Sequence, residues 1–190
     1  MDAMQIIRVD ALPRSAEEVD FSFEIDSVLV GPFDAAPSRI EPRAQRRKAY
    51  ETDDALFERC DGPDSVLFLA SEGGDIAGYI AASRGWNGCV MVDDIAVARS
   101  FRRRGLATAL MDRVVDWTLD QGLGAIRLET QSNNVAACRF YMRYGFVLGG
   151  YDRLLYRELG PDVADEVALF WYLNAAARKR PAGADVQTAS

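Results

Sequence analysis

Between Gly105 and Gln121 the apolar residues Leu106, Leu110, Val114 and Trp117 recur every three or four positions, and Asp112, Asp116 and Asp120 share a polar face. That period predicts an amphipathic helix, stopped by the glycines of "QGLGA". Around it the period falls to two, or the chain shows short apolar runs bounded by turn residues, as strands do. Strands are expected at Met4–Val9, Phe21–Val30, Ser65–Ser71, Ile76–Ser83, Val90–Val97 and Ala125–Thr130, with "EGGD" as a hairpin turn between the third and fourth. "NNVAACRFYMRYG" predicts a second helix, capped by Asn133 or Asn134 and ended by Gly145. "FVLGGYDRLLY" and "VALFWYL" predict two closing strands, paired as a hairpin across a ten-residue connection. "EPRAQRRKAYETDDALFERC" is polar and irregular, and reads as a loop or weak helix. Residues 174–190 are small and polar, and read as a disordered tail.

The order β-hairpin, strand, helix, strand, helix, strand, strand describes an α/β (α+β) fold with a mixed sheet. No internal repeat interrupts it, and no linker divides residues 1–173 into two domains.

Composition narrows the chemistry. The chain of 190 residues is 49% hydrophobic and 27% charged, an ordinary globular balance. No apolar run approaches the roughly 20 residues that span a bilayer. The N-terminus lacks a basic segment followed by an apolar one, so a cytoplasmic address and no membrane partner are expected. With 22 basic and 29 acidic residues the net charge is -7, which argues against nucleic acid as a partner and suits a small cationic one. The basic clusters at 46–48 and 178–180 read as solvated surface. There is no histidine, which removes Ser-His-Asp and Cys-His catalysis and His-ligated metal sites. Cys60, Cys89 and Cys138 are far apart without a CxxC pair, so no metal site is expected and they read as small core or near-core residues. Carboxylates, tyrosine, backbone amides or a bound co-substrate must carry any reaction.

The run "RRRGLA" (Arg102–Ala107) follows the strand Val90–Val97 after a short loop and opens the first helix. Helix N-termini present unpaired N–H groups and the positive end of the macrodipole, and so bind phosphates. Gly105 leaves room for an anion against the backbone, and Arg102, Arg103 and Arg104 add charge around it. The loop lacks both the Gly-x-Gly-x-x-Gly of dinucleotide folds and the Gly-Lys-Ser/Thr of P-loops.

Its spacing, Arg-x-x-Gly-x-Ala, resembles the pyrophosphate loop of the GNAT superfamily of N-acetyltransferases. A second motif, "NNVAACRFYMRYGF", matches that family's Asn-x-x-Ala-x-x-x-Tyr-x-x-x-Gly-Phe at Asn134, Ala137, Tyr141, Gly145 and Phe146. The two lie in the family's order, and the resemblance covers about 65–173. "GWNGCVMVDDIAV", "RLETQSNNVAACRFYMRYGFVLGGYDRLLY", "EVALFWYL" and, upstream, "SFEIDSVL" look like the streptothricin (nourseothricin) acetyltransferases. Those enzymes carry a variable acidic insert where this chain has the mostly basic "RIEPRAQRRKAYETDD".

The resemblance implies a single-domain GNAT fold, with a mixed central sheet flanked by helices and splayed at the acetyl-CoA site. It implies a direct transfer to an amine by a monomer or homodimer. The pyrophosphate of acetyl-CoA is expected over the amides from Arg103 through Leu106 and Ala107 to Thr108. The pantetheine arm is expected along Ile95, Ala96 and Val97, where the N–H of Ile95 or Val97 would hold the thioester oxygen. Tyr141 matches the position of the general acid. Asn134 is either a cofactor contact or only a helix cap.

The base is open between Asp93, Asp94 and Glu129, which could instead attract the cation. Strand alternation predicts that Asp93 and Asp94 face opposite ways, so at most one meets the thioester. Trp86 and Asp152 are further substrate-side expectations. The expected acceptor is the β-lysine moiety of streptothricin. The alternatives are another amine (a polyamine, an aminoglycoside or a protein N-terminus) and a non-catalytic acyl-CoA-binding module.

Overall fold

The strands, in chain order, are β1 (Gln5–Val9), β2 (Phe23–Leu29), β3 (Ile40–Lys48), β4 (Ser65–Glu72), β5 (Asp75–Arg84), β6 (Val90–Val97), β7 (Ala125–Gln131), β8 (Val147–Asp152) and β9 (Ala168–Asn174). The helices are α1 (Leu106–Asp120), between β6 and β7; α2 (Val135–Tyr144), between β7 and β8; and α3 (Ala175–Arg178). These elements are seen in a computed structural model that describes residues 3–34, 36–37, 39–50, 52–58 and 62–178.

Seven strands form one sheet in the order β1-β4-β5-β6-β7-β9-β8, and β2 and β3 form a separate antiparallel ribbon. All neighbours in the large sheet are antiparallel except β6 and β7. The parallel pair results from the α1 crossover, since two strands joined by a helix can run the same way. Alternation then sorts side chains to two faces. Val66, Phe68 and Ala70 of β4 join the large core with Leu110, Met111 and Val114 of α1, Cys138 and Tyr141 of α2, and Trp171 of β9. Leu67 of β4 and Tyr79 and Ala81 of β5 face the other way, into a smaller cluster with Leu12 and Leu56. Both faces of the β4–β5 hairpin are therefore covered.

Both long helices end as their sequences require. The Asn134 side chain accepts from the Ala137 N–H at 3.1 Å, so Asn134 rather than Asn133 is the cap of α2, and Gly145 closes the helix in the left-handed region. No helix among the described residues is long and apolar enough to cross a membrane.

Three expectations need correction. The "EPRAQRRK" segment is strand β3, not a loop or weak helix. The β8–β9 connection covers 153–167 and is longer than the ten residues expected. The tail was expected from residue 174, but Asn174 is in β9 and α3 continues to Arg178, with Ala175 fully buried and its N–H bonded to Gly124 O at 2.9 Å. The rest of the expected tail (179–190), Cys60 and the other two members of the 178–180 cluster lie outside the described residues.

The basic residues of β3 are paired rather than simply solvated. Glu166, 6% exposed, accepts from Lys48 Nζ at 2.8 and 2.9 Å, from Arg46 at 3.2 Å and from the Asn133 amide at 2.6 Å. Arg47 bonds Asp20 and Ser22. These contacts fix the end of β3 against the β8–β9 connection, and so fix where Tyr50 begins the next loop. Removing a partner from a buried carboxylate is costly because the charge stays behind. Lys48→Met should lower the unfolding free energy by about 3 kcal/mol, the low end for a broken buried pair because Arg46 and Asn133 remain. Urea denaturation checks this, and an unchanged midpoint would show that Glu166 does not depend on Lys48.

Candidate active site

The ladder between β6 and β7 has only two rungs, Val90↔Ile126 and Met91↔Arg127. Beyond Met91 the strands part. In the same place β6 carries a bulge: Val92 pairs with Ala82 and Asp94 with Ala81, leaving Asp93 as the extra residue. The bulge resets the alternation of β6. Val90 and Val92 face the helix-side core, and so do Ile95 and Val97 three and five residues after Val92. Asp94 and Ala96 are thereby moved to the face of Tyr79 and Ala81. Under unbroken alternation from Val92, Asp94 would instead point into the apolar core.

The opening left between the strands is a cavity of about 530 Å³. Ile95, Ala96 and Val97 line one side of it, and Asp94 is beside them. Arg102, Arg103, Gly105, Leu106, Ala107 and Thr108 line the part formed by the loop and the start of α1, and Asn134, Ala137 and Tyr141 of α2 complete the set. Thirteen residues singled out in the sequence thus meet in one space.

The loop fits a pyrophosphate. Gly105 has φ +81° at the N-cap of α1, and a Cβ built there would meet no atom within 4 Å. The position therefore demands glycine for its backbone angle and leaves open space outside it. Arg103 also lies in the left-handed region (φ 61°), a strain that the surroundings must hold in place.

The three arginines have different roles. Arg102 turns inward, donating to Val97 O at 3.0 Å and Phe21 O at 2.8 Å, and burial lowers its pKa. Arg104 turns away from the cavity, onto Glu72 at 2.7 Å and over the Phe101 ring. Arg103 lines the cavity with no side-chain partner among the described residues, and is the guanidinium free to meet an anion.

Tyr141 is 5% exposed and packs against Phe140, Phe146 and Trp171. Its hydroxyl has no hydrogen-bond partner among the described residues, and burial, reinforced by Cys138 and the carboxylates of Asp94 and Glu129, raises its pKa. The phenol therefore keeps its proton at neutral pH. Tyr144 is 3% exposed and donates to Asp112 at 2.6 Å, and its ring also lines the cavity under Arg178.

The carboxylates sort by position. Asp94 Oδ2 accepts from the Tyr79 hydroxyl at 2.7 Å, and burial raises its pKa against the lowering effect of that bond and the Ile95 N–H. Asp93 is on the same face, held by Ser83 Oγ at 2.9 Å, so the expectation that the pair point to opposite faces fails because of the bulge. Asp93 does not line the cavity; its residue is exposed at the rim, yet partial removal from water pushes its carboxyl up to about 6, with Asp94 adding to the rise. Glu129 also lies outside the lining, accepting from the Tyr156 hydroxyl, and burial raises its pKa. Trp86 is 96% exposed on the turn between β5 and β6, and Asp152 caps the turn after β8 through the Leu154 N–H at 2.7 Å. Neither reaches the cavity.

Sequence reasoning missed the wall opposite the helices: Phe21, Phe23, Tyr50, Thr52 and Tyr79. Only Tyr79 carried a usable signal. It lies on the β5 run that pairs with β6, where antiparallel register puts it opposite Ala96 and near Asp94.

A helix start with open space at its N-cap glycine, a parted strand edge, and a buried phenol and carboxylate are the parts that an acyl-CoA-dependent transferase needs. Comparison with known proteins agrees. Residues 34–146 match the family described as "Acetyltransferase (GNAT) family". Streptothricin acetyltransferase A of Bacillus subtilis (strain 168) is 34% identical over 125 residues, covering 66% of this chain and 71% of that protein. The streptothricin acetyltransferase of Escherichia coli is 34% identical over 153 residues, covering 80% and 77%. Among solved structures, nourseothricin acetyltransferase aligns with a TM-score of 0.74 at 30% identity, covering 91% of this chain and 99% of that one. A Bacillus anthracis str. Ames protein solved with acetyl coenzyme A aligns with a TM-score of 0.78 at 29% identity, covering 90% and 98%. The chain belongs to the GNAT family of acetyltransferases. It is an N-acetyltransferase whose co-substrate is acetyl-CoA.

Two predictions follow from the loop and the bulge. Wild-type protein should gain melting temperature with CoA by binding linkage. Gly105→Glu should lose that gain, while Gly105→Asn, which tolerates the left-handed angle, should keep most of it. Equal shifts in both variants would show that the anion does not sit at Gly105.

For Asp93 the folded pKa of about 6 exceeds the ordinary 3.8, so its contribution to stability is present below pH 3.8 and is lost as pH rises through 6. Asp93→Asn removes this loss. Its melting temperature should gain on wild type by about 2 °C between pH 4 and pH 7, a small effect because water screens the rim. A difference that stays flat with pH would contradict it.

Proposed function

We propose that this protein acetylates a primary amine of a small cationic substrate, the β-lysine moiety of streptothricin-type antibiotics, and thereby confers resistance. The observation that carries this reading is the cavity at the β6–β7 opening. There the Tyr141 hydroxyl, the Asp94 carboxylate and the Arg103–Thr108 loop share one space. The streptothricin acetyltransferases of B. subtilis and E. coli support the choice of acceptor, each at 34% identity.

Acetyl-CoA supplies the acetyl group as a thioester. The chain's own groups do the rest. Arg103 and the first amides of α1 hold the phosphates. The free edge of β6 at Ile95–Val97 takes the pantetheine arm, and the N–H of Ile95 or Val97 stabilises the thioester oxygen as charge develops. An alkylammonium has a reference pKa near 10.4, so the attacking amine must first give up a proton. Asp94 accepts it, directly or through water; burial, which makes its carboxylate more basic than an exposed one, supports that choice. Glu129 and Asp93 flank the site at longer range and attract the cation. Tyr141 donates its proton to the departing sulfur and regains one from the proton that the acylated nitrogen gives up, passed directly or through solvent; burial, which raises its pKa, favours that return to the phenol.

Direct transfer requires both substrates bound together, so initial-rate plots should intersect rather than run parallel. Tyr141→Phe keeps the ring and its packing, and should lower kcat by about 10²-fold with acetyl-CoA affinity little changed. Full activity would move the acid role elsewhere, and loss of folding would make Tyr141 a core residue. Release of CoA with streptothricin, slowed by added salt, tests the acceptor. Release only with polyamines, aminoglycosides or peptide N-termini would keep the reaction class and overturn the substrate.

A further inference from the structure

Four aromatic rings line the cavity wall opposite the helices, and one of them, Tyr79, bonds Asp94. Phe21 meets Tyr79 edge to face with centroids 5.4 Å apart, and Phe23 meets Tyr50 at 5.3 Å. All four line the cavity that holds Asp94, and the Tyr79 hydroxyl is bonded to its carboxylate. The rings come from three separate segments, so local sequence does not account for their meeting. Phe23 and Tyr50 extend from the β2–β3 ribbon, Phe21 precedes it, and Tyr79 belongs to the sheet.

Aromatic faces carry negative quadrupoles and attract cations, and a nearby carboxylate adds charge and direction. The chemistry this combination recognises is an alkylammonium. The wall is also open on its far side. Phe21, Tyr50 and Thr52 line a second groove of about 720 Å³ as well as the first cavity. An acceptor can therefore extend past these residues with its amine at Asp94. Arg102, by bonding Phe21 O and Val97 O, ties this wall to the cofactor loop.

We propose that Phe21, Phe23, Tyr50 and Tyr79 form an ammonium-binding box around Asp94 that selects cationic acceptors and presents their amine to the acyl site. The proposal rests on the acetyltransferase reading above, and its test is separable from that reading.

The probe is tetramethylammonium, a cation that cannot be acetylated, compared with tert-butanol as a neutral group of similar shape, at constant ionic strength. In wild type tetramethylammonium should raise the apparent KM for streptothricin without changing kcat, and tert-butanol should not. Tyr50→Leu and Phe23→Leu should weaken that inhibition about fivefold or more, whereas Tyr50→Phe, which keeps a ring, should stay within about twofold of wild type. The CoA-induced melting shift in each variant shows that it is folded. Equal inhibition by the two probes, or ring-removing variants that behave as wild type, would overturn the box while leaving the acetyltransferase intact. If streptothricin releases no CoA, the acceptor assignment falls. The box is then judged by NMR titration of tetramethylammonium into the CoA-loaded protein: saturable binding lost in Tyr50→Leu supports it, and no binding overturns it.

Discussion

Backbone N–H and C=O groups taken out of water must be paired, and a parallel ladder that stops midway leaves a row of them on each side. In this protein the row lies on β6 after Met91, where β7 has turned away. None of the described residues closes the opening. The protein surrounds it with the loop of α1, the buried face of α2 and the aromatic wall, so that a bound molecule can complete the pairing. A pantetheine arm, with amides at intervals along an extended chain, suits that edge. The single extra residue at Asp93 makes the same opening chemically useful, because it moves Asp94 out of the core face while Ile95 and Val97 stay packed in it.

Charge is distributed around this opening by pairing. Of three consecutive arginines, one buttresses the loop, one is bound to Glu72 and one is left for the ligand. Arg102 reaches from the phosphate side to the Phe21 backbone, so the loop that holds the co-substrate and the wall that faces the acceptor are not independent. The basic side chains of β3 meet Glu166 and Asp20, which secures the ribbon that carries Phe23 and precedes Tyr50. The protein is acidic overall, yet its basic run serves as internal scaffolding.

What the sequence made legible was what repeats locally. The 3.6-residue period gave α1, and the turn between two apolar runs gave the β4–β5 hairpin. The resemblance to the family's two motifs linked Gly105, Asn134 and Tyr141, and all three line one cavity. Other features depend on partners distant in the chain. Strand β3 shows no alternation because every one of its residues is exposed or half-exposed, and its register is set by β2 and by Glu166, 118 residues from Lys48. The bulge at Asp93 leaves no mark in the residue pattern, since two adjacent aspartates read the same with or without it. Trp86 was expected on the substrate side, but its turn leaves it 96% exposed. Phe21, Phe23 and Tyr50 read as ordinary strand and loop aromatics until the ribbon folds over the sheet.

The central claim is that the parted edge of β6 is held open for the acetyl donor. Amide hydrogen exchange measured by NMR with and without CoA tests it directly. CoA should slow exchange at amides of Asp94–Val97 facing the gap and at the first amides of α1, while the amides pairing β4 with β1 exchange as before. Protection confined to the α1 loop, with the β6 edge exchanging equally fast in both states, would contradict it.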